Sequence, residues 1–454
     1  MATQVNIETM PLRRGNWWVL IVSSMEQIIG AALSTVAGVM IPMLNLISHP
    51  ELSTAMQGVL GASALVGISI GSPIIGKLSD KMGYLIWFRL CAVIIILGSL
   101  ISWLFPTVTC AVIGLFIAGL GVGGGYSLDQ SYISEIMPKR WQQIMVGIAK
   151  GSCALGFMGA AGICYMILKG DPEPQLWSDT MLIITALGVI TLLMRIRWAE
   201  SPRWLMLKGR TADAQQATRF FLGDGVVITP LPAAAKTKSA TWGEMFRGRN
   251  LIRVIYSGIP WACEGLGVYG FGVFLPVLVL ALGIDANNAQ GIAKVINSVE
   301  LTTVINFFIL PGFALGLWLL NKINHVQLLS WGFLICALGL VILMLGYLWH
   351  WPLWVIILGF VIFEIFLNAG PHLVTFVIPS QVYPVVDRAA GAGIASMLGK
   401  VGAVAGVFFM PIWLQAGGMT LVLGISIGVM VAGAVIGWIF VGMRGIAKGA
   451  PQPN

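Results

Sequence analysis

The stretch VIFEIFLNAGPHLVTFVIP (Val361–Pro379) is apolar enough to enter a bilayer, yet it carries Glu364, Asn368 and His372. A hydrocarbon core about 30 Å thick takes about 20 residues of helix to cross. An ionised side chain at its centre costs at least about 2.5–3.5 kcal/mol. The three polar residues recur at i, i+4 and i+8, so a helix puts them on one stripe. That stripe must meet water, a partner or a proton. A plainer role for His372 is to cap carbonyls freed by the kink at Pro371.

The same kind of run recurs along the chain, over 17–45, 55–75, 85–105, 109–133, 143–168, 178–197, 250–283, 291–320, 328–348, 353–380, 389–415 and 419–443. Hydrophobic residues make up 57% of the 454 and charged residues 10%. Soluble domains carry about 25% charged residues. The expected fold is therefore an all-α membrane protein with twelve transmembrane helices. Residues 1–16 are polar and resemble no cleavable signal peptide.

The formal charge of +8 follows topology, not a polyanion partner. With the N-terminus inside, 22 of the 26 Lys and Arg fall on the inner side, among them Arg195, Arg203 and Arg388. This is the positive-inside bias; it places both termini in the cytoplasm and excludes nucleic acid as the partner. The six cysteines lie in apolar runs without a C-x-x-C pair, so neither a metal nor a disulfide is expected.

One long polar segment, 198–249, divides the chain into halves of six spans, 1–197 and 250–443, with a tail at 444–454. Within it TADAQQATRFFL (Thr211–Leu222) reads as a short amphipathic surface helix and the rest as a mobile linker. The halves echo one another. SEIMP (Ser134–Pro138) follows span four and SQVYP (Ser380–Pro384) follows span ten; GKLSDKMG (Gly76–Gly83) and GLWLLNKIN (Gly316–Asn324) occupy matching loops. Two pseudo-symmetric six-helix bundles closing on a midplane site are implied. The glycines of AGLGVGGGYS (Ala118–Ser127) lie inside a span, where small residues serve close helix approach. A nucleotide loop would need a strand before it and a soluble βαβ unit. With no Walker A motif, zinc motif or catalytic triad, no cofactor and no enzymatic activity are expected.

These loops resemble the major facilitator superfamily. GKLSDKMG resembles its G-x-x-x-D-[RK]-x-G signature, and AESPRWLMLKGR (Ala199–Arg210) is similar to the P-E-S-P-R-W-L of the sugar-porter-like branch. NAGPHLVTFVIPSQVYP (Asn368–Pro384) and GIASMLGKVGAV (Gly393–Val404) resemble the proton-coupled phosphate symporters and related organic-ion transporters. The resemblance covers most of the chain. It implies that spans one, four, seven and ten line a cavity, and that Asp80, Gly83, Glu135, Glu200, Arg203 and Arg388 belong to the gating loops. The chain also departs from the pattern. Tyr84-Leu85 replace a basic pair, Gln142-Gln143 stand where Arg-Gly is expected, Gln381 replaces a glutamate, and Gly125 stands where the phosphate symporters carry an aspartate. Glu264 comes one residue early relative to Trp261 and Tyr269, about 100° around a helix.

Five acids fall within spans: Glu26, Asp129, Glu264, Glu300 and Glu364. The four cavity-lining spans hold one each, and the adjoining spans five, eight and eleven hold Lys150, Glu300 and Lys400. Glu26, Glu264, Glu364 and Asp129 are the proton-coupling candidates. Tyr126, Trp261, Glu264, Tyr269, Asn368, His372 and Lys400 are the substrate-binding candidates. Each also has a bland structural role: Asp129 paired with Lys150, Glu300 with Lys294, Lys400 neutralising Glu364 or Glu300, and the aromatics as interface residues.

The function expected is secondary active transport of a small polar organic metabolite, anionic or zwitterionic, across the inner membrane. It would proceed by proton symport with alternating access, in a monomer whose partners are substrate, protons and lipid. Five acids against two lysines also fit a proton-coupled exporter of organic cations. A transporter-like receptor would need a folded partner-binding structure in 198–249.

Overall fold

The structure, a computed structural model, describes residues 5–7, 9–48, 50–227, 241–281, 290–320, 322–383 and 388–442. Asn321, Pro384 and the 444–454 tail lie outside the described residues, as do the side chains of Asp80 and Arg388.

The spans are helices, several of them interrupted. Span one is α1 (Arg14–Val22) and α2 (Met25–Ile47); spans two, three and four are α3 (Thr54–Met82), α4 (Tyr84–Leu104) and α5 (Val108–Ile136). Span five is α6 (Gln142–Gly151) and α7 (Cys153–Gly170), and span six ends in α8 (Met181–Arg195). After the short helices α9 (Pro202–Leu207), α10 (Thr211–Leu222) and α11 (Trp242–Met245), span seven comprises α12 (Gly248–Gly265), a π-helical turn (Leu266–Phe271) and α13 (Gly272–Ala281). Span eight is α14 (Ile292–Phe307) and α15 (Ile309–Leu320), span nine α16 (His325–Leu348), and span ten α17 (Leu353–Ala369) and α18 (Pro371–Val382). A last continuous helical stretch, α19, runs over Arg388–Gly442. Its apolar part, Gly391–Ile439, has 49 residues. At 1.5 Å per residue that is about 74 Å, more than twice the hydrocarbon core. Gly417 and Gly418 break it, with Gly418 in the left-handed region at φ 63°. Spans eleven and twelve thus meet at this turn, and the described residues contain the twelve crossings expected.

Glycine sets the helix spacing. A Cβ on Gly67, Gly71, Gly119 or Gly123 would lie 2.1–2.4 Å from a backbone carbonyl oxygen across the α3–α5 contact. The corresponding α15–α17 contact repeats the device with Gly312 and Gly316, at 2.7 and 2.6 Å. Without a hydrophobic drive between helices in lipid, such close approach is what holds them. Spans one and seven are the most enclosed, 94% and 83% buried. Large apolar residues such as Leu97, Met166, Trp318 and Ile439 are exposed on the perimeter, as a lipid-facing surface requires.

The halves touch at both ends. At the end away from the termini, α2 meets α13 where Gly38 faces the Val273 carbonyl, and α3 meets α19 where Gly58 faces that of Phe408. At the end carrying the termini, here called the basic end, Gly147 of α6 packs on Leu317 of α15 and Leu373 of α18.

The described parts of the 198–249 segment, 198–227 and 241–249, include helices α9, α10 and α11, while 228–240 lie outside the described residues. Helix α10 covers the stretch read as amphipathic and buries Ala214, Ala217, Thr218, Phe221 and Leu222. Val226–Val227 (β2) pairs in parallel with Val5–Asn6 (β1), and Arg13 Nη1 donates to the Leu222 carbonyl at 2.6 Å. Apolar burial and backbone pairing therefore tie residues 211–227 to the basic end.

Gly402→Val should test the packing account. Its Cβ would sit 2.1 Å from the Ala262 carbonyl oxygen, whereas nothing lies within 4 Å of a Cβ on Gly424. Overpacking costs about 1–3 kcal/mol. Thermal unfolding in detergent should show a lowered Tm for Gly402→Val and little change for Gly424→Val.

Candidate functional site

The expected residues gather in two buried clusters joined by aromatic rings, not in one vestibule. The first lies beside the break in span one. Glu26, in the first turn of α2, is fully buried and is clasped through both carboxylate oxygens by Arg195 of α8. Arg195 also donates to the Phe88 carbonyl at 3.2 Å and to the Val22 carbonyl, at the end of α1, at 3.0 Å. Its guanidinium carbon stands 4.4 Å from the Phe88 ring centre. Charge counting put Arg195 on the cytoplasmic face. The structure corrects this: its exposure is 0%, because the Glu26 carboxylate inside the bundle offers it a partner.

Asp129 completes the cluster. Its carboxylate lies 3.7 Å from Arg195 Nη2 beside that of Glu26 and, though the residue is buried, is left without a close hydrogen-bond donor among the described residues. Its expected partner, Lys150, is not there. Two carboxylates share one guanidinium, so the group is neutral only with one proton bound. An uncompensated buried charge costs on the order of 3–5 kcal/mol. Gly125 explains a departure noted above. A Cβ on it would fall 2.0 Å from Glu26 Cγ, so the glutamate fills the space where the resembled symporters carry an aspartate.

The second cluster is a hydrogen-bonded file across spans ten and seven. Asn368 Nδ2 donates to the Glu364 carbonyl at 2.7 Å and to its Oε2 at 3.2 Å. Asn368 Oδ1 lies 2.8 Å from His372 Nδ1, and His372 Nε2 lies 3.5 Å from Glu264 Oε1. All four are buried, and the Glu264 oxygens have no other hydrogen-bond partner among the described residues. His372 thus bonds a side chain, not the carbonyls freed at Gly370–Pro371. The π-helical turn begins directly after Gly265. Such i→i+5 turns are frequent at functional sites; this one re-aims Tyr269 relative to the displaced Glu264.

Between the clusters lie two lysines and four rings. Lys400 Nζ of α19 stands 3.8 Å from the Tyr269 ring centre and 5.2 Å from that of Tyr126. Lys150 Nζ of α6 stands 5.9 Å from Tyr126 and 5.5 Å from Phe376. Trp261 packs edge-on against Phe376 at 6.0 Å. Both lysines are 3% exposed, and neither has a carboxylate within 4 Å among the described residues. Each is within electrostatic reach of Glu264, as is Cys153 of α7. Tyr126 is the joint: it faces Tyr269 and feels both Glu26 and Asp129. Its hydroxyl would touch a Cβ on Gly30.

Two residues escaped the sequence reading. Arg195 sat in a basic run at a span end and looked like topology. Gln27 is a neutral residue with no charge to mark it; its amide is buried and makes no hydrogen bond among the described residues. It lies one helical turn before Gly30, on the side of α2 that meets Tyr126. Glu300 is the converse case. It is exposed on α14, within electrostatic reach of Lys169, so it leaves the interior count. Lys400 accordingly neutralises neither Glu300 nor Glu364 by contact.

The gating candidates that are described form a network at the basic end. Glu200 accepts from the backbone N–H of Tyr84 at 2.9 Å and of Leu85 at 3.1 Å, capping the N-terminus of α4. The contact uses main-chain donors, so it survives the loss of the basic pair. Gly83, at φ 99°, leaves room for it; a Cβ there would lie 2.4 Å from Glu200 Oε2. Ser201 Oγ donates to Glu135, as does the Tyr84 hydroxyl at 3.3 Å. Burial pushes the Glu135 carboxyl up to about 7, while Ser201, Arg203 and Tyr84 pull the other way.

Comparison with known proteins agrees with this architecture. The profile of the sugar (and other) transporter family matches residues 17–443. The chain is 27% identical over 401 residues to the inner membrane metabolite transport protein YgcS of Escherichia coli, covering 88% of this chain and 85% of that one. It is 24% identical over 410 residues to the probable inorganic phosphate transporter 1-8 of Arabidopsis thaliana, covering 80% and 76%. A solved structure of the proton:xylose symporter XylE superposes with a TM-score of 0.75 at 20% identity, over 94% of this chain and 96% of that one. With the profile spanning nearly its whole length, this multi-pass membrane protein belongs to the sugar (and other) transporter family and is a transporter, not an enzyme.

Proposed function

We propose that the protein is a proton symporter of a small organic anion in the inner membrane, with the basic end in the cytoplasm. The observation that carries this reading is the pair Lys150 and Lys400. Two buried ammonium groups from opposite halves lack a paired carboxylate among the described residues and stand over Tyr126, Tyr269 and Phe376. A carboxylate between them supplies the missing counter-charge, the rings cover its apolar part, and the Gln27 amide offers a further hydrogen bond. Because the two cations belong to different halves, the anion draws the bundles together. The Glu26–Arg195–Asp129 group carries a proton beside that site. Relatives named for phosphate transport and proton:xylose symport support both elements. The case for a cation exporter weakens. With Arg195 counted in and Glu300 out, four interior acids face three cations, and the site between the halves is lined by lysine.

Uptake into proteoliposomes of gluconate, glucuronate, nicotinate and phosphate, under an inward proton gradient, tests the reading. It fails if sugars or amines are accumulated and no anion is. For the anion accumulated, Lys400→Gln and Lys150→Gln should each weaken binding roughly 10–100-fold, the worth of a charge-assisted hydrogen bond. Asp129→Asn should weaken the response of uptake to the proton gradient. A gradient response like the wild type's in that variant removes the first cluster from the coupling scheme.

The Glu200 and Glu135 contacts are proposed as the brace that holds spans three, four and six together at the basic end. Glu135 binds its proton more tightly folded than unfolded, since its value is raised from 4.5 to about 7. Its contribution to stability is thus fully present below about pH 4.5 and lost as pH rises through 7. The Tm difference between wild type and Glu135→Gln should shift against the wild type over that window; a difference that does not vary with pH contradicts the assignment.

A further inference from the structure

The file Glu364–Asn368–His372–Glu264 has a fixed hydrogen-bond polarity. Asn368 Nδ2 sits 2.7 Å from the Glu364 backbone carbonyl, which can only accept. The amide nitrogen therefore faces Glu364, and Oδ1 faces His372 Nδ1 at 2.8 Å. That oxygen can only accept, so Nδ1 carries a hydrogen. A neutral His372 then presents a bare Nε2 to Glu264 Oε1 at 3.5 Å. A bare nitrogen and an ionised carboxylate are two acceptors facing each other in a buried site, an arrangement that a single proton between them relieves.

From this geometry, and resting on the anion-symport reading above, we infer that Glu264 and His372 together hold a second transported proton, and that this proton gives the lysine pair its net positive charge. The titratable groups within electrostatic reach of the pair are Lys150 of α6, Lys400 of α19, Cys153 of α7, and Cys263 and Tyr269 of span seven, while Glu364 of α17 touches Asn368 at the far end of the file. With the proton bound, Glu264 and His372 together are neutral. Lys150, Lys400 and an ionised Glu364 then sum to one positive charge, which a monoanion cancels. With the proton gone, Glu264 cancels that charge and the anion meets a neutral site. Proton and anion thus favour the same state, which is what coupling requires. The proton arrives on Glu264 or His372 Nε2 and leaves from the same atoms; no bond other than N–H or O–H forms or breaks. With the proton of the Glu26–Arg195–Asp129 group, two protons accompany each monoanion, so one net positive charge moves inward per cycle.

The test is the number of protons linked to binding. The dissociation constants of gluconate, glucuronate and nicotinate would be measured by calorimetry on the full-length protein in nanodiscs, from pH 5 to 9. Each linked proton weakens binding about tenfold per pH unit once it is lost. The wild type should approach a hundredfold loss per unit, and Glu264→Gln, whose amide donates to Nε2 permanently, only tenfold. A Glu264→Gln slope equal to that of the wild type overturns the proposal. A second readout needs no anion. Of the four histidines, His372 is assigned in ¹⁵N-histidine spectra by its loss in His372→Gln. It should carry hydrogen on Nδ1 at every pH, with an Nε2 resonance that titrates in the wild type and not in Glu264→Gln. A neutral His372 with its hydrogen on Nε2, or an Nε2 signal indifferent to Glu264, overturns the proposal. Should none of the three anions bind, the anion reading fails while these spectra still decide where the proton sits.

Discussion

The bilayer interior supplies no water to satisfy a broken helix, and the arrangement of the interior charges follows from that constraint. Four ionisable residues sit two positions from an interruption: Glu26 after Ser23–Ser24, Lys150 before Ser152, Glu264 before the π-helical turn and His372 after Gly370. Each interruption frees backbone groups that must find partners inside the protein. Arg195 takes the Val22 carbonyl at the first, and Ser152 Oγ, at the second, donates to the Ser24 carbonyl at 3.2 Å. The breaks therefore face inward, and the charged side chains beside them face inward too.

This geometry joins chemistry to motion. An unbroken helix moves as a rod; a helix divided at Gly370 or at Gly265–Leu266 can bend where the polar groups are. A ligand seated between Lys150 and Lys400 would act on both halves at once, and the contacts it replaces are aromatic faces, which re-pair at little cost in hydrogen bonds. Tyr126 feels Glu26 and Asp129, and Tyr269 beside it feels Glu264. Changes of charge at Asp129 and at Glu264 thus reach one pair of adjoining rings without any rearrangement of distant elements.

At the basic end the design is different, because water is near. Glu200 spans from the 198–249 segment to the first amides of α4, a carboxylate at a helix N-terminus where dipole and free N–H groups both favour it. Arg13, Asn16 and the two-residue β pairing bind the N-terminal segment to the same face; Asn16 Nδ2 donates to the Ile136 carbonyl at 3.2 Å. Spans one, three, four and six are thereby held as a group at this end, so that spans five, eight and ten are the elements whose contact there can open.

The chain itself determined the number of crossings, the helix-packing glycines, the amphipathic helix α10 and the stripe of Glu364, Asn368 and His372. Each depends on hydropathy or on the 3.6-residue period, and both are local. Only the tertiary structure decided the pairings. Arg195 and Glu26 are 169 positions apart, and a basic residue at a span end reads the same whether it faces lipid headgroups or a buried acid. Likewise Glu300 and Glu264 look alike in sequence, each an acid in an apolar run. Which one faces the interior depends on the rotation of its helix against neighbours, and a single residue or one π-helical turn alters that rotation. Charge in a membrane protein is priced by what surrounds it, and the surroundings come from helices distant in the chain.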